Sequence, residues 1–216
     1  MRAKPARLLA LMSATVCFFL PAASTMAIPV AHLTLRSQPG DFIGQGGDFD
    51  LTYTPQNSDF FSAAILRTIG PDPAYLTFTL GNIVTGANNT FADLDFSTTQ
   101  LGIPIRPGFY PDAQRAAFAS PGHPGLAISF QNRGCNTLTG SFTVEKASFV
   151  GSSILAFDAS FVQHCEGGAP ALFGTFSYAA PEPHTLALIV WSLLPLIGVV
   201  KRMARRESGR WVDSKM

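Results

Sequence analysis

The chain has 216 residues, 47% of them hydrophobic and 13% charged, with a formal net charge of +1. That is too apolar for a disordered chain, which needs low hydrophobicity and high net charge. The near-neutral total sums unlike parts: residues 28–180 hold six Lys and Arg against eleven Asp and Glu, a balance of −5, and the other cations sit at the two ends. An acidic centre with no basic patch argues against nucleic acid as a partner.

The N-terminus reads as a secretory signal peptide over residues 1–27. Arg2, Lys4 and Arg7 precede an uncharged apolar run at 8–20, which Pro21 breaks before the small residues Ala22, Ala23, Ser24 and Ala27. Cleavage is expected after Ser24 or Ala27. The apolar run is well short of the roughly 20 residues needed to span a bilayer. Cys17 lies inside it, leaving Cys135 and Cys165 as the only pair in the mature chain. Two cysteines in an exported domain read first as a disulfide. The competing metal site, with His164 and Glu166 beside Cys165, lacks a second ligand pair at zinc-like spacing. No metal or other cofactor is expected.

Residues 28–180 read as one extracytoplasmic all-β domain, an antiparallel β-sandwich for which a jelly roll is one form. Alternating runs, separated by Gly, Pro, Asn and Ser, predict strands at 31–36, 48–54, 75–80, 91–96, 126–130, 139–150, 154–165 and 171–179. Gly151, Ser152 and Ser153 make the turn of a hairpin between 139–150 and 154–165. In the latter strand Leu155, Phe157, Ala159, Phe161 and Cys165 share a parity and face the core, while Asp158 and Ser160 face solvent. Of the 18 Phe, only Phe18 and Phe19 fall in the leader, so the rest are available to fill the space between sheets. The Pro- and Gly-rich stretch 97–125 reads as a long stiff connection, anchored by Ile103, Ile105, Phe109, Tyr110 and Phe118.

Three segments of this domain resemble a recurrent module of exported bacterial proteins. They are 133–144 (R-G-C-N-T-L-T-G-S-F-T-V), 157–168 with Gln163-His-Cys-Glu-Gly-Gly168, and 170–174 (P-A-L-F-G). Residues 39–44 (P-G-D-F-I-G) resemble the module's opening turn. The resemblance implies the β-fold and the disulfide, and no activity.

Candidate sites within the domain are sparse. His32, His123 and His164 are its only imidazoles, and His123 lies in a Gly-His-Pro-Gly turn. His164 is expected to orient backbone beside the disulfide. Asp93 and Asp95 are two apart on one strand and share a face, which suits a calcium edge or an acid pair, and a solvated surface as well. Asp41 and Asp48 flank a Gly-rich loop that fits no twelve-residue calcium loop, so tight calcium binding is not expected. Two function classes follow. One is a binding or structural module for extracellular polysaccharide, not an enzyme. Both Trp lie outside the domain, so Tyr53, Tyr75, Tyr110 and Tyr178 are its candidate stacking platforms. The other is a secreted glycan-active hydrolase using Asp93, Asp95 or Asp158.

The C-terminus carries the sharpest pattern. Pro181-Glu182-Pro183 precedes a run at 184–200 that is uncharged apart from His184, and Lys201, Arg202, Arg205 and Arg206 follow. The run reads as a transmembrane helix of roughly 25 Å, kinked at Pro195 and a little short for a bilayer. Its basic flank stays cytoplasmic together with residues 207–216, which places 28–180 outside. Residues 181–206 resemble the PEP-CTERM sorting tail. That resemblance implies an exosortase, a membrane protease-transpeptidase, as the partner that recognises Pro181, Glu182 and Pro183 and removes the tail. It also implies association with exopolysaccharide, and a route from an inner-membrane intermediate to the cell surface or extracellular matrix. Two departures are His184, where Ser is usual, and the extension 207–216. Some ice-binding proteins carry a similar tail, which makes an ice-binding surface protein a further alternative, though no flat repeated Thr array is visible.

Overall fold

The computed structural model describes residues 27–181. The expected leader up to residue 26, Glu182 and Pro183 of the expected sorting motif, the run 184–200, the basic cluster and the extension 207–216 lie outside the described residues. Among the described residues no helix is long and apolar enough to cross a membrane.

Ten strands follow in chain order: β1 (Val30–Ser37), β2 (Asp48–Tyr53), β3 (Phe60–Ile69), β4 (Asp72–Gly81), β5 (Ala92–Ser97), β6 (Gly108–Arg115), β7 (Gly125–Phe130), β8 (Leu138–Val150), β9 (Ser153–Cys165) and β10 (Ala171–Ala179). The fold is all-β, as expected. The hairpin of β8 and β9 is present, with Val150 opposite Ser153. Two strands escape the alternation pattern. β3 is half-buried along its inward side and carries a bulge between Ile65 and Arg67, so its hydrophobicity does not alternate cleanly. β6 lies within the expected connection 97–125, and its register shifts between Tyr110 and Ala113, around Pro111 and the positive φ of Asp112.

The strands form a single mixed sheet in the order β2-β1-β10-β9-β8-β6-β7-β5-β4-β3, nearly closed into a barrel. Its two halves face each other as the layers of a sandwich would. β6 carries the pairing round the corner, lying antiparallel to β8 and then parallel to β7 at Gln114 and Arg115. A bulged strand that changes neighbour is how a sheet turns such a corner. Between the halves lies a phenylalanine core. Phe78 of β4 sits 4.6 Å from Phe176 of β10 and 5.5 Å from Phe157 of β9, ring centre to ring centre. Phe96 of β5 meets Phe157 at 5.0 Å and Phe142 of β8 at 5.4 Å. Each of these rings is fully buried and contributes roughly 1.5–3 kcal/mol by leaving water. Gly174 exists to admit one ring: a Cβ there would stand 2.3 Å from the ring of Phe161.

On β9 the expected parity holds for Phe157, Ala159, Phe161 and Cys165. Near the hairpin turn a register shift puts Ile154 inside in place of Leu155, which is half-buried. The same inward row also holds Gln163, fully buried. Its Nε2 donates to the Ile128 carbonyl at 2.8 Å, and its Oε1 accepts from the Ile128 amide at 2.9 Å. Ile128 of β7 is paired with β5 on one side only, because β6 leaves β7 after two residues. The amide of Gln163 completes that open edge as a backbone group would.

The segments that carry the resemblance to an exported module converge at one end of the domain. The Cys135 and Cys165 sulfurs are at bonding distance, with Cα atoms 5.1 Å apart. Glu166, at positive φ, accepts hydrogen bonds from the Asn136 amide and from the amide and hydroxyl of Thr137. These bonds, the Asn136 amide foremost, hold its carboxyl below the ordinary range. Arg133 Nε donates to the Ile43 carbonyl at 2.7 Å, tying the opening turn to the disulfide corner. Asp41 is buried in that turn, accepting from the Ser37 hydroxyl at 2.8 Å and the Gly44 amide at 2.7 Å. These motif residues hold loops together.

Candidate functional site

Register builds the site. On the outward face of the β2-β1-β10-β9-β8-β6 half, one transverse row reads Asp50, Thr34, Thr175, Ser160, Thr143 and Phe109, each directly opposite the next. Neighbouring strands lie about 4.8 Å apart, so the four hydroxyls form a ladder at that spacing. The Thr34 and Thr175 hydroxyls are 2.6 Å apart, and the Ser160 hydroxyl donates to Glu145 Oε1 at 2.7 Å. The adjacent row reads Asp48, Arg36, Phe173, Val162 and Ser141. The two rows line an open trough of about 830 Å³.

The trough has two exposed rings. Phe109 is 65% exposed at one end, and Phe173 is 38% exposed beside the hydroxyl ladder. At the β2 side His32 Nε2 lies 2.6 Å from Asp50 Oδ1, and the exposed Arg36 and Asp48 face each other with Nε 4.0 Å from Oδ1. A surface that offers apolar rings beside hydroxyls, carboxylates and a guanidinium can stack on the C–H faces of a sugar ring and hydrogen-bond its hydroxyls.

The tyrosines expected as platforms do not serve. Tyr53, Tyr110 and Tyr178 are buried in the core, and Tyr75 is half-buried. Burial pushes the Tyr53 hydroxyl far up, and it donates to the Thr90 carbonyl at 2.8 Å. Phe109 and Phe173 replace them. The parity of 171–179 places Phe173 on the outer face, but only the pairing of β6 with β8 brings Phe109 beside it.

The candidate acids are divided. Asp93 and Asp95 do share a face, on the outside of the other half, lining a smaller cavity of about 350 Å³ with Arg115 and Thr77. Burial pushes the Asp95 carboxyl up, and the Asp93 charge adds to this against the neighbouring Thr77 and Tyr75 hydroxyls. Asp158 is opposite Lys146 and Ser177 on the trough half, away from both. Asp41 and Asp48 are likewise separated, one buried in its turn and the other exposed beside Arg36.

The three imidazoles serve three places. His32 borders the trough. His123 Nδ1 lies 2.9 Å from the Asp112 carbonyl, joining the 116–124 loop to β6. His164 Nδ1 lies 3.0 Å from the Ala169 carbonyl, which is the backbone-orienting role expected beside the disulfide. Among the described residues no group of three or more His, Cys, Asp or Glu is placed to hold a metal ion. In comparisons with family models, curated proteins and solved structures, nothing matches this chain.

Proposed function

We propose that this chain is an exported binding module for extracellular polysaccharide, carrying its ligand in the trough of the β2-β1-β10-β9-β8-β6 half. The observation that carries the reading is the trough itself: a four-hydroxyl ladder flanked by the exposed rings of Phe109 and Phe173. A saccharide chain laid across the strands meets a hydroxyl at each step and a ring at one end and one side. In this reading the leader exports the chain. The run 184–200 halts it in the inner membrane, and an exosortase that recognises Pro181, Glu182 and Pro183 releases it to the cell surface or matrix. The basic cluster Lys201, Arg202, Arg205 and Arg206 fixes the orientation.

The test is a glycan array probed with residues 27–181, with product analysis on the same glycans. Retention on polysaccharide without turnover, lost in Phe109→Ala and Phe173→Ala, supports the reading. Turnover that depends on Asp95 supports the hydrolase alternative, which draws on the raised Asp95 carboxyl beside Asp93 in its own cavity. Binding of neither kind sinks both.

A further inference from the structure

β3 ends the sheet on one side, paired with β4 alone. Among the described residues no backbone hydrogen bond joins it to any other element. The opposite edge is treated differently. β2 is short, carries Asp48 and Asp50, and is capped where Asn57 donates from Nδ2 to the Thr52 carbonyl and accepts the Thr54 amide at Oδ1. Natural edges are guarded by charge, Pro, bulges or shortness, because an open row of N–H and C=O groups recruits another strand. From Phe60 to Leu66 β3 reads F-F-S-A-A-I-L, with no charge and no Pro. Its guards stand only at the C-terminal end of that stretch, in the bulge at Leu66, which has no partner on β4, and in Arg67.

We propose that this edge pairs antiparallel, about a two-fold axis at Ala63, with the same edge of a second copy of this chain. The sequence is complementary to itself about that point. Phe60 falls opposite the partner's Leu66, Phe61 opposite the partner's Ile65, and Ser62 opposite the partner's Ala64. On the outward face Phe60 is 41% exposed and Leu66 is 55% exposed, so the pairing covers each with the other, twice over. Small residues at the centre let the two twisted sheets approach, and Arg67 of each copy falls outside the overlap, where it stays solvated. An unrelated strand would satisfy the backbone equally. In this pairing large residues also meet large ones at both ends, and small ones meet at the centre. Closed two-fold pairing uses up the open edges and stops at a dimer.

Among the described residues the buried core runs from Ala31 to Tyr178, which makes residues 27–181 the test protein, with the full chain as its control. Sedimentation equilibrium at submillimolar concentration should give twice the protomer mass. Ser62→Lys and Leu66→Lys, both at exposed positions, should each give the protomer mass with unchanged circular dichroism. Thr52→Lys on β2 should leave the dimer intact. Protomer mass for the wild type overturns the proposal, and so does a dimer that survives both lysines. Hydrogen exchange on the full chain adds a further check. β3 amides protected in a monomer would place one of the chain's own terminal segments on that edge, and would also overturn it.

Discussion

Gln163 is a polar side chain placed in an otherwise apolar core to finish a β-edge, and its removal should be costly out of proportion to its size. Gln163→Leu keeps most of the volume and deletes both hydrogen-bonding groups. The Ile128 amide and carbonyl, now bonded at 2.9 and 2.8 Å, are left buried with nothing to pair with. Each such abandoned group costs about 1–3 kcal/mol, so the pair costs about 2–6 kcal/mol. A domain of this size loses about 2–4 °C of Tm per kcal/mol. A central loss of about 4 kcal/mol therefore lowers Tm by roughly 8–16 °C, and that loss is a large part of the roughly 5–15 kcal/mol that folded domains have. The assay is a thermal melt of residues 27–181, with amide exchange read at Ile128. Exchange at Ile128 should rise more than at its β5-bonded neighbours. Gln163→Glu should recover part of the loss at acid pH, where the protonated acid can both donate and accept. A Gln163→Leu variant that melts within about 2 °C of wild type, with Ile128 still protected, would refute the reasoning.

Three further predictions come from the same structure. Replacing Cys135 and Cys165 together by Ser should destabilise the domain by about 3–4 kcal/mol, the loop entropy for a separation of 30 residues, read by denaturant melts with and without reductant. A double variant as stable as wild type would show that the bond contributes nothing. Asp95 binds its proton more tightly folded than unfolded, where the ordinary value is 3.8, so its contribution is best in acid and is lost as pH rises through the raised folded value. Asp95→Asn should therefore raise Tm at neutral pH, and the gain should vanish below pH 3.8. A lower Tm at neutral pH contradicts this. In the producing cell, Glu182→Ala should cause full-length chain to accumulate in the inner membrane. Surface-fraction peptides from residues 206–216 on intact wild-type chain would show instead that the tail is a lasting anchor.

The parts of the fold that were legible in the sequence are those set by local alternation. The strands at 139–150 and 154–165, their turn and the inward row from Phe157 to Cys165 need only a period of two and a Gly-Ser turn, and the structure has them. β3 and β6 were not legible, because a bulge breaks the period in one and Pro111 with the positive φ of Asp112 breaks it in the other. Missing β6 also hid the corner, and with it the difference between two stacked sheets and one sheet folded over. The trough is a register property. Thr34 meets Thr175 across 141 residues, and neither residue's neighbours in sequence announce the pairing. The tyrosines were plausible platforms by composition alone, yet parity and closure turn three of them into the core.

The central claim is that the hydroxyl ladder and its two rings form the ligand surface. The most direct measurement is a nuclear magnetic resonance titration of residues 27–181 with oligosaccharides cut from the producing cell's own exopolysaccharide. The account predicts that resonances of Thr34, Thr143, Ser160, Phe173 and Thr175 shift together, saturate, and fail to shift in Phe109→Ala. Shifts confined to Asp93, Asp95 and Arg115 would contradict it and move the site to the other face of the fold.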